Sequence, residues 1–125
     1  MSEIKNAKIT KAELTMENYG CLTLQLLVEG NGWGVCLGGF VIGKGYLDAK
    51  EFEGSAKGTE EIMRVMDTVG VERFTDLVGS YVRVEVGRLG DRVKKFGNII
   101  KEKWFDFDEF HKSENTNEKV KYETN

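Results

Sequence analysis

Proline is absent from this chain of 125 residues, histidine appears once and cysteine twice. Without proline, no turn is preset by a pyrrolidine ring and no stiff proline-rich linker is present. Two thiols and one histidine make no zinc pattern, so Cys21 and Cys36 read as reduced cysteines in strands. A lone His111 in a polar C-terminal stretch leaves a histidine-based triad nothing to work with. Long apolar runs are missing too: none approaches the roughly 18 residues of a membrane span. Met1–Lys11 alternates charged and apolar residues and lacks the apolar core of a signal peptide. These absences predict a cytoplasmic protein with no metal and no cofactor.

Glycine, by contrast, is abundant, at 15 residues against an average of about 7%. Many glycines without proline point to tight turns and bulges inside a sheet. Hydrophobic residues make up 40% of the chain and charged ones 31%, the balance of a globular domain of ordinary size. With 18 basic and 21 acidic side chains the net charge is −3, which argues against a protein that coats nucleic acid by charge alone.

Ile4–Met16 places Ala7 and Ile9, then Ala12, Leu14 and Met16, on one face. The parity changes once near Thr10–Lys11, which predicts a strand with a β-bulge there. Asn18, Tyr19 and Gly20 supply a turn. Cys21–Glu29 alternates, with Leu22, Leu24, Leu26 and Val28 facing inward, and the Asn31-Gly32 pair that follows is a strong hairpin signal. A two-residue turn there pairs Gly30 with Trp33, Val28 with Val35, Leu26 with Leu37, Leu24 with Gly39 and Leu22 with Val41. Cys36 then faces Leu27, and Cys21 lies at the far end of the hairpin. The outward face carries Thr23, Gln25, Leu27, Cys36, Gly38 and Phe40, a platform for a ligand or a partner, or a face that another part of the chain covers.

Lys44–Lys57 reads as a connection. A helix follows, capped by Thr59, with Glu60 and Glu61 at the positive end of its dipole and Ile62, Val65, Met66 and Val69 as its apolar stripe. Gly70 ends it. Val71–Gly79 reads as one further turn with Phe74 and Leu77 inward, Tyr81–Val86 as a strand, Gly90-Asp91 as a turn, and Val93–Trp104 as the last strand. The order β-β-β-α-β-β predicts an α+β domain: a small five-stranded antiparallel barrel-like sheet of the OB kind with one main helix. An open antiparallel sheet with the helix on one face is the other arrangement this order allows. Residues 1–110 form the domain, and 111–125 read as a disordered polar tail.

Gly38–Gly45 nearly spells a phosphate-binding loop. Gly45 stands where a hydroxyl should hold magnesium, no helix follows, and its first half belongs to the hairpin. Glu102–Phe110 mixes acids with Trp104, Phe105, Phe107 and Phe110. In one reading Trp104 and the acids Asp106, Asp108 and Glu109 dock into a basic groove on a partner; in the other, Trp104 closes the core and the acids are solvated. Arg83, Arg88, Arg92, Lys94, Lys95, Lys101 and Lys103 gather around the last two strands, either to follow a phosphate backbone or to blunt a sheet edge.

The NAKIT start, the segment GWGVCLGGFVIG, the block VGVERFTDLVGSYVRVEV and the ending FGNIIKEKWFD together resemble a family of small uncharacterised phage and prophage early proteins. The resemblance spans roughly residues 4–108. It implies no catalytic residue. It does imply a phage setting, and hence a non-catalytic binding protein. The first role expected is stoichiometric inhibition of a bacterial immune system, in the manner of an anti-CRISPR or of a protein that sequesters an immune nucleotide signal. The alternative is an OB-like single-stranded-nucleic-acid-binding module of phage recombination or replication. Candidate binding residues are Gly38, Phe40, Tyr81, Trp104, Asp106, Asp108 and Glu109. A homodimer through the outward hairpin face is a further expectation.

Overall fold

The computed structural model describes residues 3–46, 51–87 and 92–112. Its first half is a long meander of β1 (Glu3–Asn18), β2 (Cys21–Gly30) and β3 (Trp33–Tyr46). The bulge in β1 falls where the parity change places it. Ile9 pairs with Val28 and Lys11 with Leu27, leaving Thr10 as the extra residue, and its hydroxyl donates to the Leu27 carbonyl. Asn31-Gly32 closes the β2–β3 hairpin, with Gly32 at φ +80°, a backbone that glycine adopts without steric cost.

The predicted hairpin register holds from Gly30↔Trp33 through Leu26↔Leu37 to Gln25↔Gly38 and then fails. Thr23 pairs with Val41 and Leu22 with Gly43, in place of the expected Leu24–Gly39 and Leu22–Val41 pairs. Gly38 and Gly39 both sit at positive φ, +91° and +88°, and a Cβ on Gly38 would lie 2.4 Å from the Leu24 carbonyl oxygen. Because side chains alternate with period two, the slip exchanges faces. Phe40 and Ile42 turn inward against the core, and Val41 is exposed. Phe40 is therefore not part of the outward platform.

The stretch expected to be a plain connection contains a short strand, β4 (Glu51–Glu53), paired with Lys44–Tyr46. The helix α1 (Ala56–Val69) begins a turn earlier than Thr59 predicts. Ser55 is its cap, and its Oγ accepts the Gly58 N–H at 3.0 Å. Gly58 lets this first turn lie directly on β3, since a Cβ there would meet the Ile42 carbonyl oxygen at 2.4 Å. At the other end Gly70, at φ +92°, donates to the Met66 carbonyl. Val65 is buried, and Ile62, Met66 and Val69 pack against the core, as the periodicity requires.

A 3-10 turn over Phe74–Leu77 buries Leu77. Gly79 N–H donates to the Ile9 carbonyl, and Ile9 N–H donates to the Ser80 carbonyl. These bonds align β5 (Tyr81–Val86) against the start of β1 in the register Lys8↔Tyr81 to Glu3↔Val86. The expected last strand is instead a hairpin of β6 (Lys95–Asn98) and β7 (Trp104–Asp106). Residues 107–112 follow β7 as a helical segment. The Gly90-Asp91 turn lies outside the described residues, as does the tail beyond residue 112.

All seven strands join one antiparallel sheet in the order β4-β3-β2-β1-β5-β6-β7, which does not close. The described residues thus form an α+β fold with one main helix, but with seven strands in an open sheet where five in a barrel-like form were expected. The core lies between the inner face and α1. Ile9, Leu24, Leu26, Val28, Val82, Val84 and Phe96 rise from the sheet, Val65 and Leu77 cover them, and Phe107 closes the β7 end. Both cysteines are free, Cys36 opposite Leu27 as expected and Cys21 opposite Lys44.

Candidate functional site

The predicted binding residues divide between the two faces of the sheet. Tyr81 and Trp104 lie on the outer face with Arg83, which alternates with the buried Val82 and Val84. Tyr81 is 60% exposed, with the Lys8 ammonium 5.7 Å from its ring centre. Trp104 lies across Gly97, where a Cβ would come within 2.6 Å of the indole. The Arg83 guanidinium and the Lys95 ammonium flank the indole at 4.9 and 5.5 Å from its centre. Gly38 serves the bulge, where its contact with the Leu24 carbonyl leaves no room for a side chain.

Phe40, Asp106, Asp108 and Glu109 belong instead to a clasp that holds residues 107–112 on the core. Asp106 caps this segment, its carboxylate accepting the Glu109 N–H at 3.0 Å. Asp108 pairs with Arg92, Nη2 to Oδ1 at 3.0 Å, and Arg92 also lies over the Phe40 ring. Phe40 stacks on His111 with ring centres 4.3 Å apart, and Phe110 meets His111 edge-on. His111 Nε2 bonds to Glu61 Oε1, both side chains being almost fully buried. Glu109 is exposed.

Sequence reasoning missed the Glu61–His111 pair. It placed Glu61 in the first turn of a helix that in fact starts a turn earlier, and it assigned His111 to the polar tail. The helical stripe carried the missing signal: Glu61 precedes Val65 by four residues and Thr68 by seven, so it shares their inward face. The neighbouring Glu60 is exposed, and its hydrogen bond to Arg64 Nε at 2.6 Å holds its carboxyl below the usual range.

Of the predicted basic cluster, Arg88 lies outside the described residues, and four of the others, Arg83, Arg92, Lys95 and Lys103, are engaged within the molecule. Arg83 pairs with Glu102 at 3.1 Å, Lys95 with Glu85 at 3.4 Å and Lys103 with Asp67 at 3.3 Å. Arg83 also donates to the Asn98 and Lys101 carbonyls, so its first role is to hold the β6–β7 turn. Gly38–Gly45, the near-match to a phosphate loop, lies wholly within β3.

An apolar groove lies elsewhere. About 260 Å³ in volume, it opens between the start of α1 and the ends of β1–β4, floored by Leu22, Ile42 and Ile62 and edged by Met16 and Phe52. Phe52 is 75% exposed. A polar hollow of similar volume lies on the outer face between Glu13, Glu17, Thr23 and Gln25. No group of acidic, histidine and cysteine side chains suited to a metal ion occurs among the described residues. None of their helices is long and apolar enough to cross a membrane.

Comparison with protein-family models, curated proteins and solved structures finds no match.

Proposed function

We propose that this chain is a non-catalytic binding protein that occupies a protein partner in fixed stoichiometry. In the phage setting implied by the sequence resemblance, that partner is a bacterial defence protein in the host cytoplasm, and the chain acts as an anti-CRISPR-like inhibitor. The observation that carries the binding reading is the apolar groove rimmed by Phe52 and Met16. A pocket of that size accepts one large apolar side chain, the kind of central anchor that dominates protein interfaces. The acidic segment supports a smaller part than its sequence promised. Asp106 is engaged in capping and Asp108 in the Arg92 pair, which leaves Glu109 as its outward charge.

Plating efficiency of a sensitive phage on cells that carry a defined CRISPR system tests this reading, with and without the expressed chain. Protection of the phage by at least about tenfold is expected, with loss of protection in Phe52→Asp and Met16→Asp. Charge reversal at Asp106 and Asp108 is expected to act through stability. Full protection by a folded Phe52→Asp chain would remove the groove from the mechanism, and no protection against any defence system tried would remove the inhibitor.

Single-strand binding keeps one specific support, the common outer face of Tyr81 and Trp104 beside Lys8 and Lys95. Phe40 cannot join them, because it stacks on His111 on the inner side. Fluorescence anisotropy with a labelled oligonucleotide separates the two readings. Stacking on Tyr81 predicts affinity that falls steeply with salt, and a loss of about 1–3 kcal/mol in Tyr81→Ala.

A further inference from the structure

We propose that the outer edge of β3, from Trp33 to Leu37, pairs with the same edge of a second copy of this chain to form a two-fold symmetric dimer with a continuous sheet. Among the described residues the open sheet leaves several strand edges, and the stretch of β1 before its pairing with β2 carries Glu3 and Lys5. β4 is three residues long and carries Glu51 and Glu53. β7 is equally short and runs into the helical segment at 107. The part of β1 beyond its pairing with β5 carries Lys11, Glu13 and Glu17. Short length and charge are the usual means of keeping an edge from pairing.

β3 has neither. β4 covers it only at Lys44–Tyr46, and no residue from Trp33 to Gly43 is charged. Among the described residues, no further strand or backbone hydrogen bond reaches the outer side of Trp33–Leu37. Gly34 and Cys36 are exposed, while Trp33 and Val35 pack against the core and remain only partly buried.

The geometry of the strand selects a copy of itself. In an antiparallel ladder successive residues direct their N–H and C=O groups to opposite sides. The two-residue turn makes Gly30↔Trp33 a bonded pair, so Trp33, Val35 and Leu37 bond to β2 while Gly34 and Cys36 turn theirs outward. A two-fold axis at Val35 sets Gly34 of each copy opposite Cys36 of the other and lets both pairs exchange bonds. It also places each Cys36 side chain opposite a glycine, and each Trp33 opposite a Leu37 on the inner face. Such a contact is isologous, with one patch serving both partners and no like charges facing. The Gly38-Gly39 bulge ends the regular edge, so an axis further along would set Gly34 opposite Gly38, whose φ of +91° departs from extended strand backbone.

Amide hydrogen exchange on the wild-type chain, read by NMR from micromolar to millimolar concentration, tests the contact without altering it. Protection of the Gly34 and Cys36 amides should rise by at least about tenfold with concentration, together with a doubling of mass by sedimentation velocity. Cys36→Lys, at an exposed position, should keep its circular dichroism and weaken dimerisation by at least about tenfold. A chain that stays monomeric, or a dimer in which these two amides exchange as fast as in the monomer, would overturn the proposal. So would unchanged dimerisation by a folded Cys36→Lys chain, or protection gained only when an unrelated extended peptide is added.

Discussion

Four residues show how much single positions decide in this protein. Gly38 combines a positive φ with a close approach to the Leu24 carbonyl. Gly38→Ala meets both the strain and the clash, and is expected to cost about 2 kcal/mol or more in urea unfolding. Asn98 joins two parts of the fold. Its Nδ2 donates to the Thr68 and Val69 carbonyls at the end of α1, and its Oδ1 accepts the Ile100 and Lys101 N–H groups. Asn98→Ala leaves part-buried backbone groups without partners and should cost about 2–3 kcal/mol, with the loss seen in a lowered midpoint at unchanged slope. Glu61 and His111 depend on each other. A double-mutant cycle with Glu61→Ala and His111→Ala should return a coupling of about 1–3 kcal/mol. A coupling near zero would show that the Glu61–His111 bond adds nothing to the hold on the 107–112 segment.

At the scale of elements, each boundary is set by a small number of side-chain contacts. The start of α1 depends on Ser55, so Ser55→Ala should cost about 1 kcal/mol, whereas Thr59→Ala, inside the first turn, should change stability by a few tenths. Thermal melts of the two variants distinguish the observed cap from the one that the sequence favours. The cap is hard to read in advance because Ser55 and Thr59 are both good caps. What selects Ser55 is Gly58, whose missing side chain lets one more turn lie on Ile42. The β6–β7 hairpin was equally hidden. Val93–Trp104 contains the dipeptide Gly97-Asn98, but both residues end β6 and the reversal follows them, held by Asn98 in its contacts with α1 and with its own turn. The bulge at Thr10 was legible because it is written into the order of apolar residues. The slip at Gly38-Gly39 was not, because two glycines carry no facing preference of their own and either register keeps an apolar residue at the next inward position.

At the scale of the whole molecule, the surfaces differ in character. On the outer face of β5–β7, Arg83 and Lys95 are paired with the neighbouring acids Glu102 and Glu85. High salt should therefore leave the fold's stability nearly unchanged, since exposed pairs contribute about 0–1 kcal/mol each, and a denaturant midpoint measured in low and moderate salt checks this. The groove at the start of α1 is mostly apolar, with Lys44 and Glu53 in its lining, and the edge of β3 from Trp33 to Gly43 is uncharged; both are places where another chain can bury area. The local pattern by itself determined the meander of β1 to β3, the turn at Asn31-Gly32, the bulge at Thr10, the inward stripe of α1 and the whole of β5. Each of these follows from the alternation or periodicity of neighbouring residues, which is a property of the chain before it folds. Only the tertiary structure decided that the sheet stays open, that Phe40 turns inward, and that His111 leaves the polar tail to meet Glu61. Those outcomes rest on contacts between residues far apart in sequence, where the packing of one element chooses among local conformations that are nearly equal in energy.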